Sequence, residues 1–197
     1  LKTEISPESK RRRILELSLS EIQRLAEMLK NMLSFSKPEE EKRRPVKLNE
    51  LVEGILLVME KQMKESNIKV ETYFDETLPE VMASTNQMRQ VMLNLLKNAK
   101  EAMPKGGILS VRTSRKDHNV RIAIQDTGVG IPKELRDKIF EAFHTTKPTG
   151  MGMGLSISRS IIEAHGGRLW AKPNQPRGAV FQFTVPVWQD EKQTMTN

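Results

Sequence analysis

Apolar positions recur along residues 9–36 with a helical period. Leu15, Ser18, Ile22, Leu25, Leu29, Met32 and Ser36 alternate spacings of three and four, the seam of a heptad pattern. Leu19, Met28 and Leu33 widen that stripe, as in a helix bundle rather than a two-stranded coil. Ser6-Pro7-Glu8 supplies a capping residue and a first-turn proline. One helix cannot bury such a stripe alone, so the pattern predicts a helical partner. Residues 37–47 are charged and carry Pro38 and Pro45, which reads as a linker.

A second pattern begins after the linker. Asn49 is a candidate cap for a helix running to about Ser66, with Leu51, Ile55, Val58 and Met63 inward. Ile68–Phe74 alternates as a strand. Ser84 or Thr85 opens a helix carrying Met88, Val91, Met92, Leu95 and Leu96 to Met103. Ile108–Ser114 and Val120–Gln125 alternate as strands around a polar turn. A short helix follows Pro132, and residues 141–151 read as a loop. Leu155–Ala164 is helical, with Leu155, Ile161 and Ile162 inward, and Gly166-Gly167 ends it. Arg168–Ala171 and Ala179–Val187 complete the strands, and the tail after Trp188 is polar. Many strands are linked by short turns, which predicts an α+β fold: a two-layer sandwich with a mixed, mostly antiparallel sheet, preceded by one long amphipathic helix. The implied organisation is 1–37 helix, 38–47 linker, 48–188 folded domain and 189–197 tail.

Composition narrows the function classes. Hydrophobic residues make up 37% of the 197, enough for one real core. There is no cysteine, which removes disulfides, thiolate metal sites and cysteine nucleophiles. No apolar run approaches the length of a membrane span. The net charge of +7 fits nucleic acid, a membrane surface or a phosphate-rich ligand. Its basic runs are short and lack interleaved aromatics, so nucleic acid is not expected.

Three clusters in the second domain carry candidate chemistry. Asn94 and Asn98 stand four apart and share a helical face, where amide oxygens suit a hard cation such as Mg²⁺. Taken alone, the pair reads better as two polar positions on a half-exposed helix. Asp126-Thr127-Gly128-Val129-Gly130-Ile131-Pro132 follows a strand directly. A carboxylate delivered there can accept from an amine such as that of adenine, and Gly128 and Gly130 let backbone approach a flat ligand. An ordinary turn would use the same residue types. Gly150-Met151-Gly152-Met153-Gly154-Leu155 runs into a helix start, where exposed N–H groups and the helix dipole favour an anion. Lys147 lies just upstream, either a phosphate contact or a solvated loop charge.

In order and spacing these clusters resemble the histidine kinases, within the wider ATPase group of gyrase B, Hsp90 and MutL. Asn94–Ala99 resembles the N box, Asp126–Pro132 the G1 box, Ile139-Phe140-Glu141-Ala142-Phe143 the F box and Gly150–Leu155 the G2 box. Gly178-Ala179-Val180-Phe181, ending in Thr184-Val185-Pro186, resembles the last strand segment. The resemblance covers residues 48–187 and implies the Bergerat-type ATP-binding fold. It implies that Asp126 binds the adenine amine, and that Asn98 with Asn94 holds Mg²⁺ against the phosphates. It implies further that Gly150, Gly152 and Gly154 free the preceding loop to close over ATP as a lid. Gly128, Gly130, Lys147, Leu155 and Thr184 complete the implied ATP-binding set. Asparagine at position 94 cannot act as a general base, which disfavours hydrolysis and favours transfer to another nucleophile.

Residues 9–36 resemble the second helix of the dimerisation and phosphoacceptor hairpin. The resemblance therefore implies a cytoplasmic protein-histidine kinase, homodimeric through that hairpin, with a response regulator receiver domain as partner. Any membrane contact would come through segments outside this chain. None of His118, His144 and His165 has the context of a phosphoacceptor. His118 and His165 read as surface or capping residues, and His144 sits on the proposed lid. The expected acceptor then precedes Leu1 in a longer parent, and this chain alone binds ATP without autophosphorylating. The alternative is a regulatory or scaffold module of the same fold group without kinase activity.

Overall fold

The computed structural model describes residues 11–19, 21–22, 42–136, 138–145 and 151–188. The chain divides into two compact units, residues 1–40 and 41–197. In the first, residues 11–19 and 21–22 are helical (α1), with Ile14, Leu17 and Ile22 exposed. Leu25, Leu29, Met32 and Ser36 of the heptad seam lie outside the described residues.

Among its described residues the second unit contains seven strands. These are β1 (Arg44–Val46), β2 (Ile68–Tyr73), β3 (Val81–Ala83), β4 (Gly107–Lys116), β5 (Asn119–Asp126), β6 (Arg168–Pro173) and β7 (Ala179–Pro186). Its helices are α2 (Leu48–Glu65), α3 (Thr85–Ala102) and α4 (Gly154–Ala164), with a short 3-10 turn at Lys133–Leu135. The main sheet has the order β2-β4-β5-β7-β6. Only the β2–β4 pair is parallel; the other three pairs are antiparallel. The mixed α+β sandwich read from the sequence is the observed fold.

Period-2 alternation makes the sheet two-faced. Val120, Ile122, Ile124 and Asp126 of β5 are buried, while Asn119, Arg121, Ala123 and Gln125 between them are only partly so. The buried set meets the helices. Leu48, Leu51, Val52, Ile55, Met59 and Met63 form the stripe of α2, and Met88, Val91, Met92, Leu95, Leu96 and Ala99 that of α3. The unbranched Met59, Met63, Met88, Met92 and Met103 fill the irregular space between helices and sheet.

Three local expectations need correction. Val58 is 72% exposed, whereas its neighbour Met59 is 5% exposed. The stripe advances by four from Ile55 to Met59 to Met63, which rotates position 58 outward. Asn49 does not cap α2: Lys47 occupies that position, and the Asn49 amide donates to the Asp75 carbonyl at 2.8 Å. Arg44–Val46, expected within the linker, is a strand paired antiparallel with β3, itself too short to read from alternation. By contrast Ser84 caps α3 as expected, accepting from the Gln87 N–H at 3.1 Å.

His165 is the C-cap residue of α4 and is buried. Its Nε2 accepts from the Ser84 N–H at 3.1 Å, and its Nδ1 lies 2.7 Å from the Ile161 carbonyl. The neutral tautomer protonated on Nδ1 satisfies both contacts. Next to it, Arg43 donates to the Ala164 carbonyl at 2.5 Å. Burial pulls the His165 imidazole below the ordinary histidine range; the Ile161 bond opposes this and the Arg43 charge adds to it.

Met59→Ala should cost about 2–5 kcal/mol in urea unfolding, and Val58→Ala should stay within about 0.5 kcal/mol. Since the folded state holds His165 neutral, the unfolded chain takes up the proton first as pH falls below about 6.5. The stability gained from His165 is therefore present above that pH and lost below it. Urea midpoints at pH 7.5 and 5.5 should separate more for the wild type than for His165→Gln.

Candidate nucleotide site

The site is built where β5 ends. Strand alternation puts Asp126 on the helix-facing side of the sheet, 1% exposed. Its Oδ1 accepts from the N–H groups of Gly128 at 2.8 Å and Ala179 at 3.2 Å. No described residue donates to Oδ2. Burial pushes the carboxyl above its ordinary range, and the two N–H bonds pull it partly back. One carboxylate oxygen thus fixes the loop and the other is left for a donor that none of the described residues supplies.

Two neighbouring segments hold this loop. The Val129 N–H donates to the Ala102 carbonyl at the end of α3, at 3.0 Å. From the β6–β7 turn, the Asn174 amide donates to the Asp126 carbonyl at 2.8 Å, and Arg177 Nε donates to the Gly128 carbonyl at 3.2 Å. Gly178 in that turn has φ +109° and lies so close to the Asp126 carbonyl that no side chain fits. Gly128 sits against Ala102, and Gly130 against Gly178.

The asparagine pair lies on α3, the helix whose end receives the loop. Both Asn94 and Asn98 are half-buried. The Asn94 amide nitrogen donates to Ser158 Oγ on α4 at 2.9 Å, and Gly154 packs directly on the Asn94 amide. Asn94 therefore ties α3 to the start of α4. Leu155, half-buried, follows Gly154 in the first turn of α4. Gly152, at φ +66°, closes against the backbone of Phe143 and His144, where a Cβ would come within 2.5 Å of the Phe143 carbonyl carbon. The Phe140 ring beneath is buried and carries the Arg159 guanidinium 4.8 Å above it.

Asp126, Gly128, Gly130, Asn94, Gly152 and Gly154 are thus linked through α3, α4 and the loop after β5. Asn98 stands one turn after Asn94 on the same face. Lys147 and Gly150 lie outside the described residues. Thr184 is not part of this group: it lies five residues along β7 from Ala179, roughly 17 Å away. Its side chain alternates to the helix-free face, where Oγ1 accepts from the Arg168 N–H at 3.2 Å. His118 is exposed in the β4–β5 turn, and His144 is half-buried beside Gly152. Nothing in the residue pattern singles out Asn174, Arg177 or Ser158. The first two stand in an ordinary-looking turn, and Ser158 looks like any polar helix position.

No group of three or more His, Cys, Asp or Glu side chains arranged for a metal occurs among the described residues. A cation here would depend on amide oxygens and on the ligand's own phosphates, a donor set suited to Mg²⁺. No helix among the described residues is long and apolar enough to cross a membrane.

The family profile described as "Histidine kinase-, DNA gyrase B-, and HSP90-like ATPase" matches residues 83–189, from the end of β3 through α3, the Asp126 loop and α4 to the last strand. The chain belongs to this family. It is 36% identical over 83% of its length to the sensor protein FixL of Bradyrhizobium diazoefficiens, and 33% identical over 89% to sporulation kinase C of Bacillus subtilis. It spans 33% and 41% of those two proteins. Among solved structures it resembles the catalytic domain of histidine kinase ThkA, with TM-score 0.69 and 36% identity over 74% of this chain and 96% of that one. The complex of ThkA with the response regulator protein TrrA gives TM-score 0.78 and 31% identity over 95% of this chain and 54% of that one.

The raised folded-state carboxyl means that ionised Asp126 lowers stability as pH rises above the ordinary aspartate range, about 3.9. Asp126→Asn keeps an oxygen for Gly128 and Ala179 and removes the buried charge. At pH 7 its thermal midpoint should equal or exceed that of the wild type; a clear drop would refute this reading of the site.

Proposed function

We propose that this chain is the ATP-binding catalytic part of a sensor histidine kinase. In this reading residues 48–188 are the catalytic domain, and residues 1–37 are the second helix of a dimerisation and phosphoacceptor hairpin through which a longer parent forms a homodimer. The γ-phosphoryl group of ATP passes to a histidine outside this chain, and from there to an aspartate of a response regulator receiver domain. The observation that carries the proposal is Asp126: a buried carboxylate, fixed by two backbone N–H groups through one oxygen, with the other unclaimed. An unclaimed acceptor at a strand end suits the exocyclic amine of adenine.

The other residues follow from that anchor. Gly128 and Gly130 keep the loop close-packed where a purine would lie. Asn98 offers an amide oxygen to Mg²⁺. Asn94 has only its oxygen left for that task, because its nitrogen is committed to Ser158. Bound Mg²⁺ would supply neutralisation of phosphate charge. Gly152, Gly154 and Leu155 form the approach to the N-terminus of α4, whose N–H groups favour an anion; Lys147 and Gly150 belong to the same lid by sequence. Phosphoryl transfer needs mainly positioning and charge stabilisation, and the Asn94 amide cannot itself act as a base to activate water. ThkA, a relative in fold and sequence, is a histidine kinase seen in complex with a response regulator, which supports a receiver domain as partner.

Calorimetry with a non-hydrolysable ATP analogue and Mg²⁺ tests the nucleotide site. Loss of a hydrogen bond to a charged acceptor should weaken binding of Asp126→Ala by about 10- to 100-fold. Equal affinity in the variant, or no binding by the wild type at millimolar analogue, would sink the proposal. If binding holds, a histidine-bearing hairpin supplied in trans should gain phosphate from ATP. Binding without transfer would favour a regulatory or scaffold module.

A further inference from the structure

Among the described residues no helix covers the second face of the main sheet, which carries an excess of positive charge. Its strand positions include Lys69, Arg112, Lys116, Arg121, Arg168 and Lys172, against one carboxylate, Glu71. Glu71 is already taken by Lys69 at 2.9 Å and the Tyr73 hydroxyl at 3.1 Å. Among the described residues no carboxylate pairs with Arg112, Arg121, Arg168 or Lys172. Two adjoining depressions of about 410 and 440 Å³ open on this face and share Arg121. The first is lined by Arg112, Arg121 and Lys172 among serines, glutamines and Asn174 with no acidic residue, and the second by Lys116, Arg121 and Arg168 against a single carboxylate, Asp117.

Register fixes the spacing of the cations. Arg112 lies opposite Ala123 and Arg121 opposite Ser114, so the two arginines are diagonal neighbours, about 7–8 Å apart at the backbone. Arg121 and Arg168 both pair with Thr184, from opposite sides, about 10 Å apart across two strand spacings. An extended polypeptide repeats same-side side chains every ~7 Å, the scale of these intervals. Guanidinium groups match carboxylates in a two-point fork, and Gln125, Gln182 and Ser110 offer donors and acceptors to peptide groups between them.

We propose that this face docks an extended acidic segment of a partner protein. Single-stranded nucleic acid, the other polyanion an open sheet can take, needs free aromatic faces for its bases. Here each of the two strand aromatics of the face already carries an arginine: Arg112 lies 4.5 Å from the Tyr73 ring centre and Arg168 lies 5.9 Å from that of Trp170. Between them stands Ala123, too small to stack.

The probe is a fluorescent octaglutamate peptide titrated into the chain, with an octathymidylate strand as the second arm. The peptide should bind with an affinity that falls as salt rises. Arg121→Gln/Arg168→Gln should weaken it by about tenfold or more. Lys61→Gln/Arg89→Gln, which removes the same charge from the helix layer, should change it less than about twofold. Amide shifts caused by the peptide should map to Ser110, Ala123 and Gln182 in the wild type, a readout independent of how the variants fold. The inference is overturned if both double variants weaken binding equally, if the shifts map elsewhere, or if the oligonucleotide binds more tightly than the peptide. ATP-analogue affinity should be the same in Arg121→Gln/Arg168→Gln as in the wild type, which separates this outcome from any failure of the nucleotide site.

Discussion

The structure around the site depends on one buried carboxylate whose two oxygens have different duties. Asp126 Oδ1 closes the loop on itself through Gly128 and joins that loop to β7 through Ala179. Were both oxygens bonded by the protein, the group would be a structural bracket and nothing more. With both free, burial would cost far more than a folded domain tolerates. The division between them lets the carboxylate be fixed in place and still offer an acceptor. It also explains why the loop is gripped from α3 on one side and from the Asn174–Gly178 turn on the other: an acceptor is selective only if it cannot move to suit its donor.

That requirement extends outward through the helix layer. α3 carries Asn94 and Asn98, receives the Asp126 loop at Ala102, and is tied through Asn94 to Ser158 on α4. α4 begins at Gly154 against Asn94 and ends at His165, which reaches back to the N-cap of α3. The two helices are therefore pinned to one another by polar contacts at two levels, the N-cap of α3 against the C-cap of α4 and the middle of α3 against the first turns of α4. Helix placement and site geometry are one problem in this fold.

Much of this was legible in the chain itself. The stripes of α2 and α3 and the alternation of β4, β5 and β7 are long enough for their periods to declare them. Asp126, Gly128 and Asn94 could be singled out because their spacing matches a known order of motifs. The errors have physical causes. The pattern points Val58 inward because a spacing of three fits a helix as well as one of four, and only the tertiary partner decides. β1 and β3 span three residues each, less than two full alternations, so they carry no period to read. Thr184 belongs to the site only by its nearness to a motif in sequence; β7 carries it away from Asp126 and onto the other face. Asn174, Arg177 and Ser158 matter only because separate parts of the chain meet there.

Arg43 and Arg44 are the first residues of the second unit to be tied down. Arg43 holds the Ala164 carbonyl at the end of α4, and Arg44 pairs with Ala83 and reaches Thr85 Oγ1 at the start of α3. Tension or torque entering along the chain at residue 42 therefore meets the ends of the two helices that frame the nucleotide site and the β1–β3 pair within two residues. In mechanical terms the attachment point is a yoke on α3 and α4: it grips one end of each, about 14–15 Å along the helix from Asn94 and Gly154.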